Sequence, residues 1–508
     1  SHSVLLDNGS FFRRRFQLYC QWATMEQQSY CDFELAKSVG LPVERFPETP
    51  QEGQLAEEIL SRGLEKLSLN QHERILFEVH GLSPEHDEDA PFLQDKLQEL
   101  DQELDKITNK ESFDLAREQN PTYVNSPEFR LMFLRCHQFD CSKAASAMVQ
   151  HFQVKQKLFG NGNILSRDIG QADLNPTDKQ LLETGFLQVL PERDAAGRTI
   201  LLILCANVAK FPKDGWEMED ELRLTWYVAM AMLRDEQTQK KGVVAIVMNH
   251  CSFKVPMEIY TAVNNMSTVL PLRMMAAHYC YSNPDLRPFV AGFQLLIHEK
   301  DRYRIKTHFG TLPEIFFELQ TFGIPTEALP LTKEGYCCNQ WHDQWMALVR
   351  QQEELGLGRE GIIIPRRFDV LLGKRAEARE HTGTMRALHV VEMYFEEYEK
   401  LGKYQKTEVA EKIIRIIHES EGRFLKQTEH GAWIEVDDTE ARKKVAHWFR
   451  HARFKRQKQQ SPQESSSSEN SSETTDVSTR KVSHDDITSH GTKRANPSCV
   501  SAMATGLE

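Results

Sequence analysis

Val243-Val244-Ala245-Ile246-Val247-Met248, opening directly after Gly242, is the stretch on which the fold turns. Six consecutive apolar residues, four of them β-branched, are too short for an ordinary helix and suit a strand buried on both faces. Downstream, residues 256–270 carry helical spacing, and His278-Tyr279-Cys280-Tyr281 returns to a strand pattern. Asn283-Pro284 starts another helix over 285–297, the basic stretch Arg302-Tyr303-Arg304-Ile305-Lys306 follows, and Gly323-Ile324-Pro325 and Leu329-Pro330 close the segment. Strand–helix–strand repeats predict a mostly parallel sheet with helices packed on it.

Working upstream, the turn Asp194-Ala195-Ala196-Gly197-Arg198 feeds a second apolar strand, Thr199-Ile200-Leu201-Leu202-Ile203-Leu204, and residues 217–239 read as one helix. Ser126 is placed to cap a helix with Pro127 in its first turn. That helix ends at Phe133-Leu134-Arg135, breaks at His137-Gln138-Phe139-Asp140, and a further helix covers 142–158. Earlier runs through Leu55, Ile59, Leu64 and Leu67, through Ile75, Leu76 and Val79, and through Leu93, Leu97, Leu100, Leu104 and Ile107 have the spacing of scaffold helices. Residues 1–50 show no sustained periodicity, and Arg13-Arg14-Arg15 among Phe11, Phe12 and Phe16 reads as a solvated end.

The chain has 508 residues, 40% hydrophobic and 27% charged, with a net charge of −12. This describes a multi-domain globular protein and excludes a uniformly basic nucleic-acid coat. Ten cysteines lack any zinc-ligand spacing, which predicts reduced thiols, no metal and no cofactor. No apolar run reaches the length of a transmembrane helix. The expected compartment is cytoplasmic, with the nucleus as the alternative; oligomeric state is not legible.

Two motifs carry a family resemblance. Phe133-Leu134-Arg135-x-x-x-Phe139-Asp140-x-x-Lys143-Ala144 and Asp194-x-x-Gly197-Arg198 resemble the CRAL-TRIO (Sec14-like) lipid-binding family, with the likeness covering residues 121–331. That family carries hydrophobic small molecules, under a helix that acts as a lid. The matching lid residues are Leu286, Phe289, Val290, Phe293, Leu296 and Ile297, and the resemblance implies a headgroup contact at Arg304. Phosphoinositide-binding relatives place Pro-Glu-Arg where this chain has Pro271-Leu272-Arg273, so the expected ligand is a hydrophobic molecule or phospholipid without strong inositide preference. Asn249-His250-Cys251-Ser252 also departs from the family's Asp-x-x-Gly, and no double glycine follows Leu329-Pro330.

Catalysis is not expected. His250 and Cys251 are neighbours on an extended segment and point to opposite faces. Gly160-Asn161-Gly162 follows a helix rather than a strand, and Leu372-Gly373-Lys374 lacks the remaining residues of a phosphate loop.

Residues 337–355 form a helical pattern with Trp341, Trp345, Leu348 and Val349 on one side, and a break at Gly356, Gly358 and Gly361 precedes a separate module. It contains helices over 389–401 and 406–419, the latter with Val409, Ile413, Ile416 and Ile417 inward. A β-hairpin of 423–426 and 432–436, turning at Glu429-His430-Gly431, and a final helix from Asp437/Asp438 to about 458 complete it. Asp369-Val370-Leu371-Leu372-Gly373 and Phe424-Leu425-Lys426 with Trp433-x-Glu435-Val436 resemble a domain of unknown function in microalgal proteins. Lys374-Arg375-Ala376 replaces that domain's arginine-glycine loop. From 365 to 458 there are 21 Lys+Arg against 16 Asp+Glu, so this segment is basic within an acidic chain. Arg442, Lys443, Lys444, Arg450, Arg453, Lys455 and Arg456 are candidates for a polyanion, either nucleic acid or an anionic membrane surface. Trp448-Phe449-Arg450-His451-Ala452-Arg453 echoes a homeodomain recognition helix, with His451 where the base-reading Asn stands.

The expected fold class is multi-domain α/β plus α+β. Its parts are an irregular segment (1–50), a helical scaffold (51–120), CRAL-TRIO-like N-terminal helices (121–172) and a CRAL-TRIO-like lipid-binding domain (173–332). A helix and linker (333–362), a basic module (363–458) and a disordered tail (459–508) follow.

Overall fold

The computed structural model describes residues 45–460 apart from 85, 209–216, 252, 255–262, 264, 265, 267, 298, 332–338, 355–364, 374, 375 and 429–432. The N-terminal segment to residue 44, most of the expected 256–270 helix, the glycine-rich break, the 429–431 turn and the tail after 460 lie outside the described residues.

The helical scaffold begins where capping residues stand. In α1 (Pro50–Glu65) Thr49 and Glu52 form a reciprocal cap with Pro in the first turn, and in α2 (Leu69–His80) Ser68 and Gln71 do the same. α3 (Ala90–Lys106) starts from Asp89, and α4 (Glu111–Gln119) follows. α5 (Pro127–Cys136) is capped by Ser126 as expected, and α6 (Cys141–Phe159) by Asp140. Between them Gln138 and Phe139 both have positive φ (53° and 60°), a conformation that costs an L-residue about 1–2 kcal/mol. The Phe139 ring is buried edge-on to Phe92 at 4.8 Å, which offsets that strain. Arg135, 8% exposed, chelates Glu88 and bonds Gln239 at 2.5 Å and Glu236 at 2.7 Å. The Phe-Leu-Arg motif is therefore two core residues and the polar tie that holds α5 to the helix around residue 239.

After α7 (Pro176–Glu183), a five-stranded sheet has the order β1-β2-β3-β4-β5: Leu187–Arg193, Thr199–Leu204, Val243–Asn249, Met274–Tyr281 and Ile305–Phe309. β2 to β5 pair in parallel, and β1 runs antiparallel on the edge. The Asp-x-x-Gly-Arg turn has a structural reason. Gly197 sits at φ 78°, where a side chain is disfavoured. Arg198, 1% exposed, bonds Asp194 at 2.5 Å and caps α2 through the carbonyls of Glu78 and Val79 at 2.6 and 3.1 Å.

Several expectations are corrected. β1 was not anticipated: Pro191 interrupts its strand pattern and is tolerated because the register shifts there on an edge strand. The basic stretch at 302–306 runs into β5. The single helix over 217–239 is two, α8 (Met218–Met232) and α9 (Glu236–Lys241), because Asp235 accepts from the Thr238 amide and restarts the helix. α10 (Arg287–Leu296) follows β4, and α11 (Leu312–Thr321) follows β5.

In the C-terminal module the hairpin is part of a three-stranded sheet, β6 (Val370–Leu372) parallel to β7 (Phe424–Gln427) and β7 antiparallel to β8 (Trp433–Glu435). Asp369, fully buried, ties this sheet by accepting from the Arg423 guanidinium at 2.7 Å and the Arg423 amide at 2.9 Å. The helix expected at 389–401 is α12 (Thr382–Met393) and α13 (Phe395–Lys400), broken at Tyr394. α14 (Lys403–Glu419) and α15 (Asp438–Gln460) complete the module, with Val445, Trp448 and Phe449 buried in its core.

Candidate ligand site

The expected lid residues divide into two sets. Leu286, Phe289 and Val290 are buried with Phe46, Tyr279 and Tyr281, and the Phe46 and Phe289 rings meet edge-on at 4.6 Å. On its other side α10 is held by α1, where Ala291 and Leu295 pack on Ala56 and Ile59 and Arg287 chelates Glu57 at 2.6 and 3.0 Å. Gly292 permits this approach, since a Cβ there would stand 2.2 Å from Pro47. Phe293, Leu296 and Ile297 are the remaining three, and they are only partly buried.

Opposite them lies one face of the sheet. Ile203 pairs in register with Val247, and Val247 with Tyr279. Ile203 and Val247 are partly exposed although they sit in central strands, so this apolar face is not fully sealed at the middle of the sheet. Val247, Tyr279, Phe293 and Leu296 belong to one cluster, with the Phe293 and Tyr279 rings 5.3 Å apart. The sequence reading missed Ile203 and Val247 as site residues. Their signal was available in the strand alternation, once it was known which face meets the lid.

Arg304 is engaged elsewhere. Its guanidinium bonds Glu78 at 2.6 Å and Asp301 at 2.5 Å, and Glu78, on α2, is itself 3% exposed. Leu272, at the replaced headgroup position, is partly buried and packs into two cores. His250 bonds Ser282 at 3.1 Å, while Cys251 is exposed.

The basic helix is less open than its sequence suggests. Arg442 pairs with Glu411 at 2.7 Å, and Arg453 chelates Glu399 at 2.8 and 2.7 Å. Lys444 stands 5.8 Å over the Trp448 ring, and partial burial lowers its pKa. Lys443, Arg450 and Lys455 are exposed and Arg456 is partly buried. A cleft of about 490 Å³ between α14 and α15 gathers Lys403, Lys406, Thr407, Arg442 and Lys443 beside Tyr398. Lys403 and Lys406 were not among the sequence candidates, because nothing local shows that their helix faces Arg442.

Among the described residues no group of three or more His, Cys, Asp or Glu is placed to hold a metal ion, and no helix is long and apolar enough to cross a membrane.

Clavesin-1 of Xenopus laevis is 25% identical over 205 residues, covering 39% of this chain and 59% of its own length. The alpha-tocopherol transfer protein-like protein of Mus musculus is 22% identical over 253 residues, 47% of this chain and 68% of its own. Human Clavesin-2 is 24% identical over 254 residues, 49% of this chain and 74% of its own. The central region is weakly similar to these proteins, and its mixed sheet with flanking helices is consistent with a CRAL-TRIO-like fold. The chain thus spans about three fifths of one relative and about two thirds to three quarters of the others. Residues 369–451 match the domain of unknown function DUF6824, which falls within the C-terminal module and beyond the CRAL-TRIO-like region.

Proposed function

We propose that the CRAL-TRIO-like region binds or transfers a hydrophobic ligand without chemical conversion. The ligand lies between the Ile203–Val247–Tyr279 face of the sheet and the Phe293, Leu296 and Ile297 edge of α10. The observation that carries this reading is the partial exposure of Ile203 and Val247 in the middle of the sheet. A space bounded by such side chains favours an acyl or isoprenoid chain, because each buried CH₂ is worth ~0.8 kcal/mol. The name of one relative, alpha-tocopherol transfer protein-like, supports the same ligand class. Leu272 in place of an acidic headgroup contact, and Arg304 committed to Glu78, argue for no strong phosphoinositide preference. Mass spectrometry of small molecules that co-purify with the intact protein tests the reading; a folded protein that carries no apolar molecule contradicts it.

The DUF6824 module serves as a basic targeting or regulatory element. The cleft carrying Lys403, Lys406, Arg442 and Lys443 supports contact with a phosphate-bearing partner, and peripheral membrane contact fits a lipid carrier best. The rival reading is a nuclear regulator acting on nucleic acid through the same cations. Salt-dependent binding that is stronger to duplex DNA than to anionic vesicles would decide for that rival.

A further inference from the structure

The wall opposite the sheet contains a carboxyl group that the fold does not use. Glu221 lies in α8, is 7% exposed, and its side chain makes no hydrogen bond or ion pair among the described residues. Buried carboxylates are ordinarily paired, since an unpaired one loses its hydration without return. The acidic residues beside it are used in the ordinary way: Asp220 and Asp178 both bind Arg223.

The helix direction places Glu221 toward the ligand space. Met218, Glu221 and Thr225 are spaced to share one face of α8, and Met218 and Thr225 are both partly buried. Met218 packs on the same core cluster as Ile203. Cys205, which opens the short helix after β2, lies near both the Glu221 carboxyl and the Tyr279 hydroxyl of the ligand face. The next polar group along this face, Asn249, is already occupied: its amide donates to the Tyr279 hydroxyl at 2.8 Å and the Phe253 carbonyl at 2.7 Å.

We propose that Glu221 is the polar anchor of the cavity, and that the ligand is an apolar molecule carrying one uncharged oxygen group, a hydroxyl or a carbonyl. This rests on the ligand-binding reading above and narrows it. Burial pushes the Glu221 carboxyl up to about 8, so at neutral pH it is mainly protonated and both donates and accepts a hydrogen bond. A phosphate would have to be desolvated beside it with no cation to meet it among the described residues, and an amine would require burial of two charges. A hydroxyl or carbonyl satisfies the carboxyl at no charge cost, which is why the site selects that class.

The test presents the full-length protein with radiolabelled 1-hexadecanol or hexadecane in phosphatidylcholine vesicles, at pH 6.5, with circular dichroism as the fold check. The wild type should favour the alcohol by about tenfold, the usual effect of one hydrogen bond made or left unmade in an apolar site. Glu221→Gln, which still donates and accepts, should keep that preference, and Glu221→Leu should abolish it while retaining hexadecane. Equal uptake of both probes by the wild type, which needs no variant to be read, would overturn the anchor and leave the ligand-binding reading standing. The anchor is likewise overturned if folded Glu221→Leu still prefers the alcohol. A folded wild type that takes up neither probe would remove the ligand-binding reading and the anchor with it.

Discussion

The two faces of the five-stranded sheet are built from the same strands and end in different states. On one face Ile200, Leu202, Leu204, Val244, Ile246, Met248, Ala276 and Cys280 are at most 3% exposed, sealed by Ile315 and Leu319 of α11 and by Val79 of α2. On the other, Ile203 and Val247 remain partly open beneath α10. Alternation along a strand is enough to produce this contrast, because each successive side chain changes face. The difference teaches where stability resides and where the proposed ligand would fit: the sealed face holds the domain together, and the half-open face leaves apolar area uncovered.

The contrast should be sharpest on stability. Ile246→Asp, which buries an unpaired carboxylate in the sealed layer, should cost about 4 kcal/mol or more and is expected to unfold the domain. Chemical denaturation would show it, and a loss below about 1 kcal/mol would mean that the face is not sealed. At the margin of the same layer, Arg198→Ala should cost about 3 kcal/mol, since it leaves Asp194 buried and unpaired and uncaps α2. Arg198→Lys should not restore it, because one ammonium cannot reach Asp194 and both carbonyls in the same geometry.

A pH-dependent effect belongs to the open face. The folded-state pKa of Glu221 is raised from 4.5 to about 8, so its contribution is fully present below pH 4.5 and is lost as pH rises through 8. The slope should approach about 1.4 kcal/mol per pH unit within that window, less any contribution from other groups. Denaturation midpoints of the wild type and Glu221→Gln between pH 5 and 9 would check this. Parallel curves for the two proteins would mean that the carboxyl is already ionised in the fold.

The smallest effect is expected in the C-terminal module. Lys443→Glu with Arg450→Glu should leave stability within about 0.5 kcal/mol, as befits exposed positions, while weakening binding to anionic vesicles at low salt. Unchanged vesicle binding would show that these cations are merely solvated.

How much of this was legible in the sequence depends on whether a feature is local. β2 and β3 read directly from their apolar runs, and the cap at Ser126 from a single residue. β1 and β6 did not: one is disguised by Pro191, and the other is only three residues long, identified by its pairing with β7. The six lid residues formed one apolar stripe in sequence, but α10 packs on the sheet and on α1 at once, which leaves only Phe293, Leu296 and Ile297 partly open. Arg442 and Arg453 looked outward because their partners, Glu411 and Glu399, lie on other helices. Glu221 gave no sign at all, since an acidic residue in the first turn of a helix is ordinary.

The most direct test of the central claim is a vesicle-to-vesicle transfer assay with the wild type and the Ile203→Trp/Val247→Trp double variant. Two indoles would fill the space above the middle of the sheet while keeping it apolar, and the substitutions should cost no more than about 1–3 kcal/mol. The account predicts a folded protein whose uptake of an apolar ligand falls at least tenfold. A folded double variant that carries and transfers the ligand as well as the wild type would contradict it.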